Sequence, residues 1–142
     1  MSMSSRNSWL WLVRLLIGLV LFVNIQCALA FFCQPARYAP SFELEGDIGE
    51  SMLRGMGVLF LMWNVPYLVA SIHPIRHKIS LCEAVAMQFI GLAGEGIIYL
   101  NLPQGHSIAQ ASIQRFIIFD AVGLIALAAA LWLVRKKTTG EP

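Results

Sequence analysis

The sequence predicts an all-α integral membrane protein, a single-domain four-helix bundle over residues 1–142 with both termini in the cytoplasm. Of its 142 residues 58% are hydrophobic and only 13% are charged, whereas soluble domains carry about 25% charged residues. Four apolar segments are each long enough to cross a hydrocarbon core of about 30 Å. They cover residues 9–32, 50–72, 79–100 and 108–134.

The first apolar segment, residues 9–32, is expected to be a retained transmembrane helix. An α-helix of this length extends about 36 Å. A secretory signal peptide is the alternative, because Ala28–Ala30 resembles a small-residue cleavage site. Arg14, Asn24 and Gln26 favour retention, since a bundle helix can direct such polar side chains toward its neighbours.

A loop and a kinked second span are expected next. Residues 33–49 contain two prolines and an acidic cluster, which indicates a loop on one membrane face. Tyr38 and Phe42 are suited to hold a short interfacial turn within it. In the second span Pro66 lacks a backbone donor, so the helix is expected to kink there, with Asn64 near enough to satisfy freed backbone groups.

The third and fourth spans carry small residues at a density typical of close helix contacts in membranes. In the third span these residues are Gly91, Ala93, Gly94 and Gly96, and in the fourth they are Gly123, Ala126 and Ala130. The links before these two spans, residues 73–78 and 101–107, are short.

The distribution of basic residues predicts the orientation. Four spans put both termini and the 73–78 link on one side, and the opposite loops hold only Arg37. The first side holds Arg6, Arg76, Lys78, Arg135, Lys136 and Lys137. Because cytoplasmic loops carry the excess of Lys and Arg, we expect a multi-pass protein of the inner (plasma) membrane with both termini inside the cell.

Charged residues within the spans are the candidate site residues, and depth along the helices sorts them into two groups. The outer cluster comprises Glu50, Arg54, Glu95, Arg115 and Asp120. The inner pair, Arg14 and Glu83, lies near the cytoplasmic ends of the first and third spans. A central Arg or Asp is unfavourable by about 2.5–3.5 kcal/mol. Opposite charges are therefore expected to pair within the bundle.

Two interpretations of these charges stay open. They are either structural ion pairs that fix helix order and register, or the lining of a polar pocket that opens toward the outer face. In a pocket of this kind Glu95 or Asp120 would relay protons or hold a cationic ligand. Carboxylates beside arginines would stay charged, which suits structural locking or anion binding by the arginines better than proton relay.

Other functional classes lack the residues that they need. The net charge is only +2 and no basic patch is present, so nucleic acid is not an expected partner. The three cysteines form no C-x-x-C pair, and the three histidines fall in loops rather than at the membrane depth that haem ligation requires. No nucleophile elbow, P-loop or H-E-x-x-H helix is present. We expect no catalytic residue, metal site or cofactor.

Two short motifs carry a resemblance to a known family. The first span contains R-x-x-x-G from Arg14 to Gly18, and the second begins with L-R-G-M-G from Leu53 to Gly57. With its size and four spans, the chain resembles the small bacterial membrane proteins of the DoxX-like families. The resemblance implies a four-helix bundle, and some members of that group are similar to subunits of membrane oxidoreductases that work near quinone.

Three functional hypotheses follow. The first is a non-catalytic accessory or scaffold subunit, or a membrane-embedded binding protein. The second is a small transporter or channel-like protein that uses the outer cluster as its site. The third is a subunit of a quinone-linked membrane oxidoreductase. Membrane lipids, partner subunits of a membrane complex and a second copy of the chain are the expected partners.

Overall fold

The structure is a computed structural model that describes residues 3–139. These residues form helices joined by short links, and no strand occurs among them. The helices are α1 (Met3–Cys33), α2 (Pro35–Tyr38), α3 (Gly46–Trp63), α4 (Val65–Ile72), α5 (Lys78–Asn101) and α6 (Ser107–Thr139), with a 3₁₀ turn at Ala39–Phe42 between α2 and α3.

Four helical segments are long and apolar enough to cross a membrane, as the sequence predicts. They are Ser8–Cys33, Gly46–Ile72, Lys78–Asn101 and Ser107–Thr139. The second helical segment begins four residues before the predicted start at Glu50, because Asp47 lies in its first turn and can interact favourably with the positive end of the helix dipole. The all-helical class of the prediction is thus confirmed for the described residues.

The second segment is interrupted at Asn64, two residues before Pro66. The Asn64 side chain donates through Nδ2 to Phe60 O at 2.6 Å, and the Asn64 amide also contacts the carbonyl groups of the preceding turn. Helix α4 restarts at Val65 with Pro66 in its first turn, where a proline is tolerated because that amide has no intrahelical partner. The predicted kink is confirmed, and it divides the span into α3 and α4.

The main core lies in the half of the bundle that contains α4. It joins buried side chains of α1, α4, α5 and α6, which are Val13, Ile17, Val20, Leu21, Tyr67, Ala70, Leu81, Ala84, Leu127, Ala130 and Val134. Helix α5 packs most extensively against α6, and α3 packs mainly against α1. At that second contact, a Cβ added to Gly57 would lie 2.7 Å from Ala28 O, so only glycine allows the two backbones to approach this closely.

A smaller aromatic core lies at the other end, beneath the link between α1 and α3. Phe31 contacts Tyr38, Phe42, Phe60 and Phe116 with ring centroids 5.5–6.1 Å apart. The expected turn is therefore a short helix and a 3₁₀ turn whose aromatic rings pack inward onto the bundle.

The same link is bonded to the start of α6. Glu43 has a positive φ of 56° and accepts hydrogen bonds from the Ala109 amide at 3.2 Å and from His106 Nδ1 at 2.5 Å. Ser112 Oγ donates to Ser41 O at 2.5 Å. The hydrogen bond from His106 lowers the pKa of the Glu43 carboxyl below its ordinary value. These contacts fix the end of the bundle that holds the aromatic core.

Candidate functional site: a cavity between the spans

A cavity of about 260 Å³ lies between the helices and is lined by all four membrane-length segments. Its wall contains three of the five residues predicted for the outer cluster, Glu95, Arg115 and Asp120. The other lining residues are Val23, Asn24 and Cys27 from α1, Phe60 and Trp63 from α3, Asn64 at the break, Tyr67 from α4, Met87, Gln88 and Gly91 from α5, and Phe116 and Phe119 from α6.

The other two residues of the predicted outer cluster lie outside this cavity. Glu50 and Arg54 form an ion pair with each other at 3.7 Å, one turn apart on α3. Their side chains are 30% and 50% exposed, so the pair adds little to stability. The prediction of one five-residue cluster is corrected to a cavity trio and a separate surface pair, because α3 packs its inward face against α1 while Arg54 points outward.

A chain of hydrogen bonds crosses the cavity from α4 to α6. Tyr67 Oη donates to Gln88 Oε1 at 2.7 Å, and Gln88 Nε2 donates to Asp120 Oδ1 at 2.8 Å. Gln88 is 3% exposed and Tyr67 is 3% exposed. Buried polar groups that are bonded in this way fix the relative positions of the helices that carry them.

Two glycines provide the space for this chain. A Cβ at Gly91 would lie 2.5 Å from Asp120 Oδ2, and a Cβ at Gly123 would lie 2.6 Å from Gln88 Nε2. The small residues predicted to admit a neighbouring backbone therefore admit polar side chains at these two positions. At Gly94 and Gly96 no atom lies within 4 Å of the added Cβ, so those glycines face open space.

The carboxylates of the cavity do not pair with Arg115, contrary to the prediction. Arg115 donates to Ser112 Oγ at 2.8 Å, and no ion pair within 4.0 Å joins it to Glu95 or Asp120 among the described residues. Ser112 lies one turn toward the start of α6, whereas Asp120 is five residues further on and about 140° around the helix. The arginine therefore points toward the aromatic end, and Asp120 is left to Gln88.

Two buried oxygen atoms in the cavity wall have no hydrogen-bond partner. They are Oδ1 of Asn64 and Oε2 of Glu95. Asn64 is only 4% exposed, and its Nδ2 already donates to Phe60 O. A buried acceptor without a donor carries a free-energy penalty of about 1–3 kcal/mol. The cavity thus presents two unused acceptors, and its wall also holds the Arg115 guanidinium, which has N–H groups beyond the one that donates to Ser112.

Aromatic rings form the apolar part of the wall. Phe60 contacts Trp63 and Phe116, each with ring centroids 6.1 Å apart. The indole of Trp63 is 45% exposed, so it lies both in the cavity wall and at the bundle surface. Flat apolar side chains beside a few polar groups are typical of small-molecule sites.

The predicted inner pair between Arg14 and Glu83 does not form. Arg14 donates through its guanidinium to Ile72 O at 2.8 Å and lies over the Trp11 ring at 5.3 Å, and the Glu83 side chain is exposed. Ile72 is the last residue of α4, where backbone carbonyls have no intrahelical partner. This free carbonyl takes the arginine, and no ion pair within 4.0 Å links Arg14 to Glu83 in the part of the chain described.

Among the cavity residues, Asn64 is predicted only to satisfy backbone groups freed by Pro66, and Gln88 and Tyr67 are not among the predicted site residues. One sequence signal could have identified the site. Several polar side chains without a charged partner lie at a similar membrane depth in different spans. Within residues 3–139, no group of three or more His, Cys, Asp and Glu side chains is arranged to hold a metal ion.

The cavity can bind a molecule that has an apolar body and a hydrogen-bonding head. It contains no activated nucleophile among the described residues, since Cys27 is the one thiol in its wall and no histidine lines it. Comparison of the chain with family models, curated proteins and solved structures finds no match.

Proposed function

We propose that this chain is a non-catalytic, membrane-embedded binding protein whose cavity holds a small amphiphile. The observation that carries the proposal is the cavity itself, which all four membrane-length segments line with aromatic rings and a hydrogen-bonded polar wall. Concave sites of this composition are the usual binding sites of small molecules. The two unpartnered acceptors support the proposal, because a bound head group would supply what they lack.

The orientation belongs to the same proposal. The excess of Lys and Arg at the termini and in the 73–78 link favours a plasma-membrane protein with both termini in the cytoplasm. In this orientation Glu95 and Arg115 lie toward the outer face. A binding protein of this kind can work alone or as an accessory subunit of a larger membrane complex.

The test is native mass spectrometry of the tagged protein, purified in mild detergent, together with extraction and identification of any bound molecule. We expect wild type to retain a discrete small molecule. Glu95→Gln and Asp120→Asn should retain at least about tenfold less, because each replaces a carboxyl group of the wall by an amide. Glu83→Gln is the matched control, since that carboxylate is exposed on the same helix.

Other outcomes assign the protein differently. A stoichiometric partner polypeptide without a small molecule, and variants that behave as wild type, would contradict a binding function and favour a scaffold subunit. A retained quinone would identify the ligand and link the chain to the oxidoreductase subunits implied by the DoxX-like resemblance.

Transport is a second candidate, favoured by one observation. Glu95 and Asp120 face the same cavity from adjacent helices without a basic partner, as in sites that bind and release cations or protons. Reconstitution into liposomes with a pH-sensitive dye inside tests it. A proton flux that disappears in both cavity variants but not in Glu83→Gln would favour transport over static binding.

A further inference from the structure

The bundle is open between α3 and α5. Helix α3 packs against α1 and α2, whereas α4 packs against both α1 and α5. In the described part of the chain, α3 and α5 make little or no direct contact. The break at Asn64 therefore separates the two helices over the half of the bundle that contains Glu95, and the cavity lies beside this gap.

Exposure along α5 supports the same opening. Residues seven apart lie on nearly the same face of a helix, with a drift of about 20°. On the face that includes Gly91, Ala84 is fully buried, whereas Ile98 is 55% exposed. The face of α5 that includes Gly91 is thus packed at the depth of α4 and exposed at the depth of α3. Gly94 and Gly96, with no neighbour within 4 Å of an added Cβ, lie in this open half.

The cavity is too small to enclose the whole of a long-chain amphiphile. A volume of 260 Å³ lies below the range of about 300–1,000 Å³ usual for the pockets of drug-sized ligands. A head group and the first part of a chain fit inside. The rest of a longer amphiphile would pass between α3 and α5, past the half-exposed Trp63.

The polar wall selects the chemistry of the head. Two carboxyl groups, of Glu95 and Asp120, line the cavity with the single guanidinium of Arg115, and the two unpartnered atoms are both oxygen atoms. Asn64 is more than nine-tenths buried, its Oδ1 has no partner, and the residue lines the cavity. A head that carries positive charge and N–H donors complements both features, whereas a carboxylate head would add a third acceptor group.

We propose that the ligand is an amphiphile with a primary ammonium head that enters from the bilayer between α3 and α5. Its N–H groups donate to Asn64 Oδ1 and Glu95 Oε2, and its alkyl chain contacts Phe60 and Trp63 before it leaves through the gap. This inference rests on the proposed binding function and adds to it the class of ligand and its route.

The experiment uses the full chain in nanodiscs of phosphatidylcholine with brominated acyl chains. Trp9, Trp11 and Trp132 are changed to Phe, so that Trp63 is the single tryptophan. Bromine quenches indole fluorescence at contact, so Trp63 should be quenched both by surrounding lipid and by chains in the gap. Added dodecylamine should restore the part of its fluorescence that chains in the gap quench, by displacing them. Three compounds with the same chain serve as comparisons. Dodecyltrimethylammonium keeps the positive charge but has no N–H group, dodecanol replaces the N–H groups by an O–H group, and dodecanoate carries the opposite charge.

We expect dodecylamine to act at a concentration at least about tenfold lower than the other three compounds, and Glu95→Gln to remove this preference while Glu83→Gln keeps it. Equal potency of all four compounds would overturn the head-group assignment and leave the binding function standing. An unquenched Trp63 would overturn the lateral route. Loss of all binding, in wild type and with every compound, would contradict the proposed function itself.

Discussion

The interaction between Gln88 and Asp120 determines the shape of the cavity at the scale of single residues. Gln88 uses its amide oxygen to accept from Tyr67 and its amide nitrogen to donate to Asp120, so one side chain links α4 to α6 through α5. Both ends of the amide are engaged only in this orientation. The space beside each partner exists because residues 91 and 123 are glycine.

Gly91→Ala should therefore destabilise the protein, because the new methyl group displaces the Asp120 carboxylate and weakens its hydrogen bond to Gln88. We expect a loss of about 1–3 kcal/mol relative to Gly94→Ala. Gly94→Ala is the control, since no atom lies within 4 Å of the added Cβ and alanine favours the helix. Thermal unfolding in detergent measures both, and equal melting temperatures would contradict the described geometry.

Glu43 is the residue-scale link at the aromatic end of the bundle. Its carboxylate is stabilised in the folded state by His106 and the Ala109 amide, which lowers its pKa. The stability that this carboxylate contributes is present above its ordinary pKa of 4.5 and is lost as the pH falls through the lower folded-state value.

We expect Glu43→Gln to lower the melting temperature at pH 7 by on the order of 1–2 °C, because the group is exposed and screened. The difference from wild type should shrink as the pH falls below 4.5. Glu45→Gln serves as the control, since that side chain makes no cap hydrogen bond. A difference that grows with acidification would show that the sign of the linkage is wrong.

At the scale of elements, the break between α3 and α4 determines where the cavity opens. Pro66 cannot donate to a carbonyl one turn earlier, and Asn64 bonds the turn that precedes it. The consequence is that α4 stays in the main core and α3 follows α1. We expect that a continuous helix would bring α3 closer to α5 and narrow the gap.

Pro66→Ala restores the missing donor and should straighten the segment. Spin labels at Met52 on α3 and Ile98 on α5, both exposed, report the separation of the two helices by electron–electron double resonance. We expect the distance to shorten in Pro66→Ala and to stay unchanged in Val65→Ala, which alters the neighbouring exposed residue. An unchanged distance in both variants would contradict the claim that the break separates α3 from α5.

The sequence predicts the elements well and their side-chain partners poorly. Hydropathy and length identify all four membrane-length helices, and Pro66 marks the interruption. The ion pairs were wrong because arginine side chains are long and reach backbone or hydroxyl acceptors, as Arg14 reaches Ile72 O and Arg115 reaches Ser112. Spacing along one helix gives depth and face, but it does not say which neighbour occupies that face.

At the scale of the whole molecule, the proposed orientation follows from the Lys and Arg residues of the termini and loops, and it has its own test. In a cysteine-free background, Gln104→Cys between α5 and α6 should react with a membrane-impermeant maleimide added outside the cell. Thr139→Cys at the end of α6 should react only after permeabilisation. The reverse pattern would place both termini outside the cell. Glu95 would then lie toward the cytoplasmic face.

The central claim is that the cavity holds a discrete small molecule while the protein is in its membrane. Its most direct test is photo-crosslinking in native membranes with p-benzoylphenylalanine in place of Phe119, in the cavity wall, or of Val122, which is 62% exposed. We predict one defined adduct mass from position 119 that Glu95→Gln abolishes, and a mixture of bulk lipids from position 122. The same lipid mixture at both positions would contradict the account.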